Sequence, residues 1–206
     1  MHGFPLDTAK ALMTNVIKDL KPQDFLNVLL FASGSATLSP TGSLPASEAN
    51  LEKALAFIQS QRGGGGTNIV PALEGALALP RTPGVSRIVT IVTDGYVDVE
   101  PRVFQLIRDN LGAANLFAFG IGSSVNRHLI EGMARAGMGE TFVVLNSGEA
   151  AKQAAKFSQY IANPVLTEIK VAYEGFSASE VEPQALPDLF AMRPLTLLGK
   201  YRGGPT

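Results

Sequence analysis

Apolar residues follow two spacings along this chain, one typical of helices and the other typical of buried strands. From Leu6 to Leu20 they recur every three or four residues, which predicts a helix with one apolar face. From Phe25 to Ala32 they form a short and nearly continuous run, which favours a strand covered on both faces. The same two patterns predict a short strand at Ser35–Leu38, helices at Glu48–Gln61, Ile69–Leu77, Pro101–Leu111, Asn126–Ala136 and Glu149–Ile161, and strands at Arg87–Thr93, Leu116–Ile121 and Thr141–Leu145.

The regular alternation of strands and helices predicts an α/β fold, with a doubly wound, mostly parallel sheet and helices on both of its faces. We assign residues 1–163 to this domain. The pattern then changes, because Leu166–Ala172 and Leu195–Tyr201 alternate like strands without a helix between them. The intervening Gly175–Pro194 is rich in turn-forming residues and is predicted to be a loop. Residues 164–206 are therefore interpreted as strands of a following β module.

Polar residues are predicted to cap two of these helices. Thr67 or Asn68 can accept the first backbone N–H groups of the helix that begins at Ile69. Ser147 can do the same for the helix that begins at Glu149. These residues mark the expected starts of both helices.

Composition narrows the functional classes. The 206 residues suffice for one α/β domain and a short appendage. The 17 lysines and arginines balance 18 aspartates and glutamates, so no net field attracts nucleic acid or an anionic membrane surface. The chain has no cysteine and therefore no disulfide or thiolate metal ligand. No apolar run approaches the roughly 20 residues of a membrane-spanning helix, and the first residues lack the pattern of a signal peptide.

Two polar side chains are expected to meet at the carboxyl edge of the predicted sheet. Asp94 directly follows the strand Arg87–Thr93, and Thr67 follows the four glycines Gly63–Gly66 at the start of a helix. Ligands of open α/β sheets collect at this edge, and a carboxylate with a hydroxyl suits a hard cation such as Mg²⁺. From the pattern alone, the alternative is that Thr67 caps its helix and Asp94 forms a tight turn with Gly95.

The sequence around this pair resembles two motifs of the von Willebrand factor type A domain. Residues 62–69 read Arg-Gly-Gly-Gly-Gly-Thr-Asn-Ile before an apolar helix, and residues 88–95 read Ile-Val-Thr-Ile-Val-Thr-Asp-Gly. Both are similar to metal-loop motifs of that family in order, spacing and flanking elements. The resemblance implies a metal-ion-dependent adhesion site, in which Thr67, Asp94 and an Asp-x-Ser-x-Ser motif hold Mg²⁺ or Mn²⁺. An acidic residue of a partner protein then takes the open position.

Further segments resemble inter-alpha-trypsin inhibitor heavy-chain-like proteins, so that the resemblance covers essentially the whole chain. They are residues 119–126 (Phe-Gly-Ile-Gly-Ser-Ser-Val-Asn), 129–131 (Leu-Ile-Glu), 187–190 (Pro-Asp-Leu-Phe), 193–195 (Arg-Pro-Leu) and 199–202 (Gly-Lys-Tyr-Arg). The resemblance implies a module of a larger protein located outside the cytoplasm or at the cell surface. The alanine and glycine content is consistent with a bacterial source.

The chain departs from the family at its start. Residues 1–6, Met-His-Gly-Phe-Pro-Leu, resemble the segment that follows Asp-x-Ser-x-Ser, so we expect the first, central strand and its motif to be missing. Ser33-Gly34-Ser35 imitates the motif, but it follows a different strand and has Phe31 in place of the aspartate. With only two oxygen donors left, the metal site is expected to be incomplete and to bind no cation tightly, because Mg²⁺ dehydrates reluctantly.

In the family's strand order, the missing strand lies between Phe25–Ala32 and Arg87–Thr93. We expect this position to be filled by Leu166–Ala172 or Leu195–Tyr201, from the same chain or from a second copy in a strand-exchanged homodimer. The alternative is that the sheet closes directly.

Three functions fit these residues. The leading hypothesis is a protein–protein interaction module of adhesion type, which is not an enzyme. The second is a Mg²⁺-dependent phosphate-binding enzyme of Rossmann-like fold, although the glycine run lacks the lysine of a P-loop and His128 fits a surface helix position. The third is a metal-free structural scaffold. Asp98, Glu131 and Glu140 are further candidates for the carboxyl edge, and solvated surface positions are the preferred interpretation of all three.

Overall fold

The computed structural model describes residues 1–95, 99–112, 114–122, 125–162, 164–167, 169–183, 186–190 and 194–203. Its helices are α1 (Phe4–Lys18), α2 (Glu48–Gln59), α3 (Ile69–Ala78), α4 (Glu100–Asn110), α5 (Arg127–Ala136) and α6 (Ser147–Ile161). Its strands are β1 (Phe25–Leu26), β2 (Leu29–Phe31), β3 (Ser35–Thr37), β4 (Leu44–Pro45), β5 (Arg87–Thr93), β6 (Ala114–Ile121), β7 (Met138–Val144), β8 (Pro164–Leu166), β9 (Ser177–Glu182), β10 (Leu189–Phe190) and β11 (Leu198–Arg202).

A parallel sheet of β5, β6 and β7 forms the centre of the molecule, with β6 in the middle. Every residue of β6 is buried, as expected for a strand covered on both faces. Val89 of β5 lies opposite Leu116 of β6, and Phe119 of β6 lies opposite Phe142 of β7. The predicted α/β class is therefore confirmed.

Helices cover both faces of this sheet. On one face, α3, α4 and α5 bury a core that includes Leu73, Ile107 and Met133. On the other face, α1 and α6 pack over a core that includes Leu12, Phe119 and Phe157. Both faces become buried because each helix contributes one apolar stripe, which the spacing of the sequence had predicted.

Aromatic side chains dominate the core beneath α1 and α6. Phe117 of β6 is fully buried and makes edge-to-face contacts with Phe157, Tyr160 and Phe190 at ring-centroid distances of 5.2, 6.0 and 6.0 Å. Such pairs add to the free energy gained by burying apolar area. This aromatic cluster joins α6 and the C-terminal β10 to the central strand.

The predicted single strand at Phe25–Ala32 is divided into β1 and β2. The side chain of Asn27 lies between them, where its amide donates to Ser39 O (2.8 Å) and accepts from the backbone N–H groups of Val28 (2.9 Å) and Ser39 (3.2 Å). Because these side-chain bonds replace the regular ladder, the strand is interrupted. The predicted burial on both faces is also wrong, since Phe25 is exposed and β2 is only half-buried.

One edge of β5 has no neighbouring strand in the described part of the chain. β5 pairs with β6, whereas β1 and β2 pair with β4 and β3. An open groove of about 400 Å³ lies between β5 on one side and β1 and β2 on the other, and we call it the β5 groove. Direct closure of the sheet, or its completion by Leu166–Ala172 or Leu195–Tyr201 of the same chain, was therefore a wrong expectation. Instead, β8 pairs with β10 and β11 pairs with β9.

The C-terminal region contains more strands than its sequence predicts. Gly175–Pro194, predicted to be a loop, contains β9 and β10, and the strand predicted at Leu166–Ala172 ends at Leu166. The loop assignment failed because β9 and β10 gain their hydrogen bonds from partners that are distant in sequence, β11 and β8.

The region between β9 and β10 is anchored to the amino end of the central sheet. The buried carboxylate of Asp188 accepts hydrogen bonds from Ser86 Oγ at 2.5 Å and from Asn115 Nδ2 at 3.0 Å. Phe190, two residues later, is buried in the aromatic cluster. The assignment of residues 164–206 to a following β module stays a prediction, and these contacts supply the means to test it.

Two predicted caps differ from the structure. Asn68 is the N-cap residue of α3, but its side chain donates to Ser33 O at 2.8 Å and does not cap the helix. The last helix begins at Ser147 and is capped by Asn146, whose side chain accepts from Glu149 N–H at 3.2 Å. The Asn68 side chain is taken up by a partner 35 residues away, whereas Asn146 precedes Ser147 and is placed to accept from the first turn of α6.

Candidate functional site

Three chain segments meet at the carboxyl ends of β2 and β5. They are the start of the chain at Met1, the turn around Ser33, and the glycine loop, by which we mean Gly63–Thr67. We call this meeting point, together with Asp94 and Gly95, the carboxyl rim. Polar groups collect here because the strands end while the loops that follow them converge.

The structure brings Thr67 and Asp94 to this same rim. The Thr67 side chain packs directly against Gly95, where an added Cβ would lie 2.8 Å from Thr67 Oγ1. Only glycine fits after Asp94 at that distance. The Asp94 carboxylate is partly buried, with 24% of its side chain exposed, and its Oδ1 lies 3.6 Å from the ammonium group of Met1. The Thr67 side chain therefore meets the loop that carries Asp94.

Two N–H groups of the glycine loop form hydrogen bonds within the protein. Gly64 N–H donates to Met1 O at 3.3 Å, and Gly66 N–H donates to Ser33 Oγ at 2.8 Å. A phosphate cradle needs such N–H groups to point at the ligand. The hydrogen bonds of the loop thus favour a structural clamp over the phosphate-binding interpretation.

Gly63 is required by this clamp. Its φ is +77°, which side-chain-bearing residues rarely adopt, and an added Cβ would lie 2.3 Å from Met1 O. We expect Gly63→Ala to lower the free energy of unfolding by about 1–3 kcal/mol, because the backbone must strain or Met1 must move. Urea unfolding followed by circular dichroism measures this change.

The matched control is Gly34→Ala. Gly34 lies in the turn between β2 and β3, has no positive φ, and leaves open space around an added Cβ. Its unfolding free energy should stay within about 0.5 kcal/mol of the parent value. Equal losses in both variants would show that the clamp at Gly63 is unimportant.

Ser33 and Met1 are rim residues that the sequence did not identify as such. The Ser33 hydroxyl accepts from Gly66 N–H at 2.8 Å, and its carbonyl oxygen accepts from Asn68 Nδ2 at 2.8 Å, so Ser33 holds the glycine loop and the start of α3. No sequence signal links residues 33 and 66, because the contact is created by the packing of β2 beside α3.

A second polar group lies where α4 and α5 begin. Asn126 caps α5 by accepting from Leu129 N–H at 3.1 Å, and its amide donates to Glu100 Oε1 at 2.9 Å. The pKa of Glu100 is lowered, first by a hydrogen bond from its own backbone and then by the bond from Asn126. His128 is exposed and packs edge-on against Phe104 at 5.8 Å. This arrangement fits two helix starts and not a catalytic centre.

The remaining acidic candidates do not extend the rim. Glu140 lies near the amino end of β7, where it accepts a hydrogen bond from the Tyr160 hydroxyl, so its placement at the carboxyl edge was wrong. Glu131 is exposed on α5. Asp98 lies outside the described residues.

The carboxyl rim offers oxygen atoms that could coordinate a divalent cation. Mg²⁺ prefers about six oxygen ligands in octahedral geometry. The two predicted ligands supply one hydroxyl and one carboxylate, and the ammonium of Met1 lies beside that carboxylate. In the described part of the chain, no group of three or more histidine, aspartate or glutamate residues is arranged to hold a metal. Thr67 and Asp94 can therefore supply two of the oxygen ligands that a Mg²⁺ site needs.

The described helices include none with the length and apolar character needed to cross a membrane.

The sequence of this chain is similar to those of several known proteins. A sequence model described as von Willebrand factor type A domain matches residues 1–142. Inter-alpha-trypsin inhibitor heavy chain H3 of Bos taurus is 28% identical over 186 residues, which cover 84% of this chain and 21% of that protein. Von Willebrand factor A domain-containing protein 5B1 of Homo sapiens is 28% identical over 193 residues, which cover 92% of this chain and 16% of that protein. The chain thus spans about a fifth of the length of such relatives.

Solved structures show the same fold. A von Willebrand factor type A protein from Catenulispora acidiphila superposes with a TM-score of 0.71 at 18% identity, covering 96% of this chain and 50% of that one. Proximal thread matrix protein 1 of the mussel byssus, solved with a zinc-occupied MIDAS motif, superposes with a TM-score of 0.56 at 18% identity. That match covers 75% of this chain and 42% of the byssus protein.

Proposed function

Because this chain belongs to the von Willebrand factor type A family, we propose that it is a protein-interaction module of adhesion type that meets its partner at the carboxyl rim. The observation that supports this choice is the contact between the Thr67 side chain and the Asp94–Gly95 turn. This contact supports a site at the strand ends, where ligands of such sheets bind, to which the Thr67 hydroxyl and the Asp94 carboxylate would both contribute.

The proposed native interaction uses a divalent metal. In an intact domain Thr67 and Asp94 would contribute to the binding of Mg²⁺ or Mn²⁺, and an acidic residue of the partner would complete the coordination. Carboxylate and hydroxyl oxygens are the ligand types that these hard cations prefer. The residues of this chain need further oxygen ligands before a cation can compete with water.

We place the module in a larger bacterial protein that acts outside the cytoplasm or at the cell surface. The matched region covers 21% and 16% of the relatives named above, which supports a role as one part of a longer polypeptide. The partner of the proposed interaction is a protein and not nucleic acid, since the 17 basic and 18 acidic residues balance.

The metal proposal gives a direct prediction. Titration of the 206-residue chain with Mg²⁺ or Mn²⁺ in a calorimeter should give no binding with a dissociation constant in the micromolar range, because too few oxygen donors replace the lost hydration waters. A micromolar constant for the unmodified chain would contradict the proposed deficit of ligands.

The complementary experiment supplies the absent ligands. A strand that ends in Asp-Gly-Ser-Gly-Ser is joined ahead of Met1, and the extended chain is titrated with Mn²⁺. Binding should appear and should be lost in Asp94→Ala and Thr67→Ala. Asp109→Ala, an exposed change on α4, is the matched control. If the extended chain binds Mn²⁺ equally well after both rim substitutions, the rim is not the metal site and the metal-free scaffold is favoured.

The interaction itself is tested with the same extended chain. A peptide with one glutamate should bind in the presence of Mg²⁺ and be released by a chelator, whereas its glutamine counterpart should not bind. Binding of both peptides to the same extent would exclude a metal-bridged carboxylate.

A further inference from the structure

Thr67 is tied to the end of β2 through both of its neighbours in the chain. On one side, Gly66 N–H donates to Ser33 Oγ at 2.8 Å. On the other side, Asn68 N–H donates to Ala32 O at 2.9 Å, and the Asn68 side chain donates to Ser33 O at 2.8 Å. We call these three hydrogen bonds the β2 link. The backbone has only two soft dihedral angles per residue, so fixing residues 66 and 68 leaves Thr67 little freedom.

The glycine loop lies very close to the turn that follows β2. A Cβ added to Gly65 would lie 2.9 Å from Ser33 Oγ and 3.1 Å from the Ala32 Cβ, and the φ of Gly65 is +79°. Glycine combines this backbone conformation with so close an approach, because it has no Cβ. The loop therefore rests directly on Ser33.

The side chain of Thr67 contacts the loop that follows β5. A Cβ added to Gly95 would lie 2.8 Å from Thr67 Oγ1 and 3.0 Å from Thr67 Cγ2. Threonine is β-branched, so its χ1 angle has few allowed rotamers and depends on the backbone that carries it. The β2 link and the contact with Gly95 therefore together set the direction of the Thr67 hydroxyl.

The polar side chains of the β2 link do not serve the elements nearest to them in sequence. Asn68 is the N-cap residue of α3, yet its side chain forms no capping hydrogen bond and reaches residue 33 instead. An asparagine at this position usually accepts from the first turn and stabilises the helix. The exposed Ser33 likewise accepts from an N–H group 33 residues away. Both side chains thus join the glycine loop to β2.

The direction of a hydroxyl ligand matters because small divalent cations tolerate little variation in geometry. Mg²⁺ requires nearly octahedral oxygen ligands at about 2.0–2.1 Å. Residues that orient the ligands of a metal without contacting it commonly contribute about 10- to 100-fold to the affinity for that metal.

We propose that Ser33 and Asn68 are positioning residues of the adhesion site, which hold the Thr67 hydroxyl in the direction needed by a metal ligand and do not contact the metal themselves. This inference rests on the proposed function, in which Thr67 contributes to the binding of Mg²⁺ or Mn²⁺. Ser33-Gly34-Ser35, the segment that imitates the Asp-x-Ser-x-Ser motif, thus supports the site through Ser33 and does not supply its ligands.

The first test uses the 206-residue chain without metal. Three-bond NMR couplings from the methyl carbon of Thr67 to its backbone nitrogen and carbonyl carbon report the χ1 angle. In the parent chain they should fit a single rotamer. In Ser33→Ala, which removes the acceptor for Gly66 N–H, they should shift to the values of interconverting rotamers. Averaged couplings in the parent chain would overturn the proposal.

Asn68→Ser is a second variant that preserves the start of α3. Serine is about as good an N-cap residue as asparagine, but its shorter side chain cannot donate to Ser33 O over the same distance. The couplings of Thr67 should change as in Ser33→Ala, while the midpoint of thermal unfolding should stay within about 2 °C of the parent value. Ser35→Ala, an exposed change on β3, is the matched control for both variants. Couplings that change in neither variant would refute the positioning role.

The second test measures Mn²⁺ binding to the extended chain described above, in which a strand that ends in Asp-Gly-Ser-Gly-Ser precedes Met1. Ser33→Ala and Asn68→Ser should each weaken binding about tenfold. Ser33→Thr keeps the hydroxyl and should restore the affinity to within about twofold of the parent value, a rescue that a loss of general stability would not show. The control Ser35→Ala should bind Mn²⁺ like the parent.

The outcomes separate this inference from the proposed function. If Asp94→Ala and Thr67→Ala abolish Mn²⁺ binding but Ser33→Ala and Asn68→Ser leave it unchanged, the adhesion site stands and the positioning role is refuted. If the extended chain binds no Mn²⁺, the proposed function fails and the role of the β2 link in metal binding fails with it. The couplings of Thr67 then still show whether the β2 link orients this side chain.

Discussion

Replacing Phe117 by alanine is expected to lower the free energy of unfolding by about 3–5 kcal/mol, the usual cost of removing a fully buried phenyl ring. Phe117 is fully buried on the central strand β6 and contacts three other aromatic rings, so few neighbours can move to fill the cavity. The midpoint of thermal unfolding should fall by roughly 6–20 °C. Denaturant unfolding and calorimetry measure both quantities.

Phe176→Ala is the matched control for this loss. Phe176 lies before β9, is 42% exposed, and its ring meets two exposed aromatic rings, Tyr173 at 5.6 Å and Tyr201 at 6.2 Å. Its replacement should cost less than about 1 kcal/mol. A similar loss for both phenylalanines would mean that the core is not centred on β6.

Replacing Phe190 by alanine should have an effect of similar size, about 3–5 kcal/mol. Phe190 is 1% exposed and stacks on Tyr160 at 6.4 Å, although it belongs to the C-terminal region. The physical reason is that Phe190 of β10 packs into the core beneath α1 and α6. Equilibrium unfolding of the variant measures the loss.

Two further measurements test whether Phe190 stabilises the chain through the aromatic core or only within the C-terminal region. Phe117 and Phe190 are in contact, so the double variant should show a coupling energy of about 0.5–1.5 kcal/mol. A chain that ends at residue 162 should lose at least as much stability as Phe190→Ala. If the shortened chain were as stable as the parent, residues 164–206 would be an independent unit and the boundary near residue 163 would stand.

Much of the candidate site could be predicted from local sequence. Asp94 follows an apolar strand and Thr67 follows a glycine run before a helix, so each could be placed at a strand end without coordinates. Ser33 and Met1 could not be placed, because their rim contacts join residues more than thirty positions apart. Such contacts leave no periodic trace in the sequence.

The helices show what periodicity determines well. All the predicted helices are present, with ends within two residues of the expected positions, because a helix buries one stripe whose spacing is set locally. The strands were harder to predict, since a strand exists only with its partner. Asn27 interrupted an otherwise apolar run, and β9 formed in a segment that lacks a clear pattern.

The sequence alone determined the α/β class, the order of the helices and central strands, and the two polar residues at the ends of their elements. Those properties follow from local spacing and composition, which act over a few residues. The tertiary structure decided which strand edges are paired, where the C-terminal aromatic ring is buried, and that β5 faces an open groove. These depend on contacts between distant segments, whose free energies are set by packing and backbone hydrogen bonding and not by any local pattern of residues.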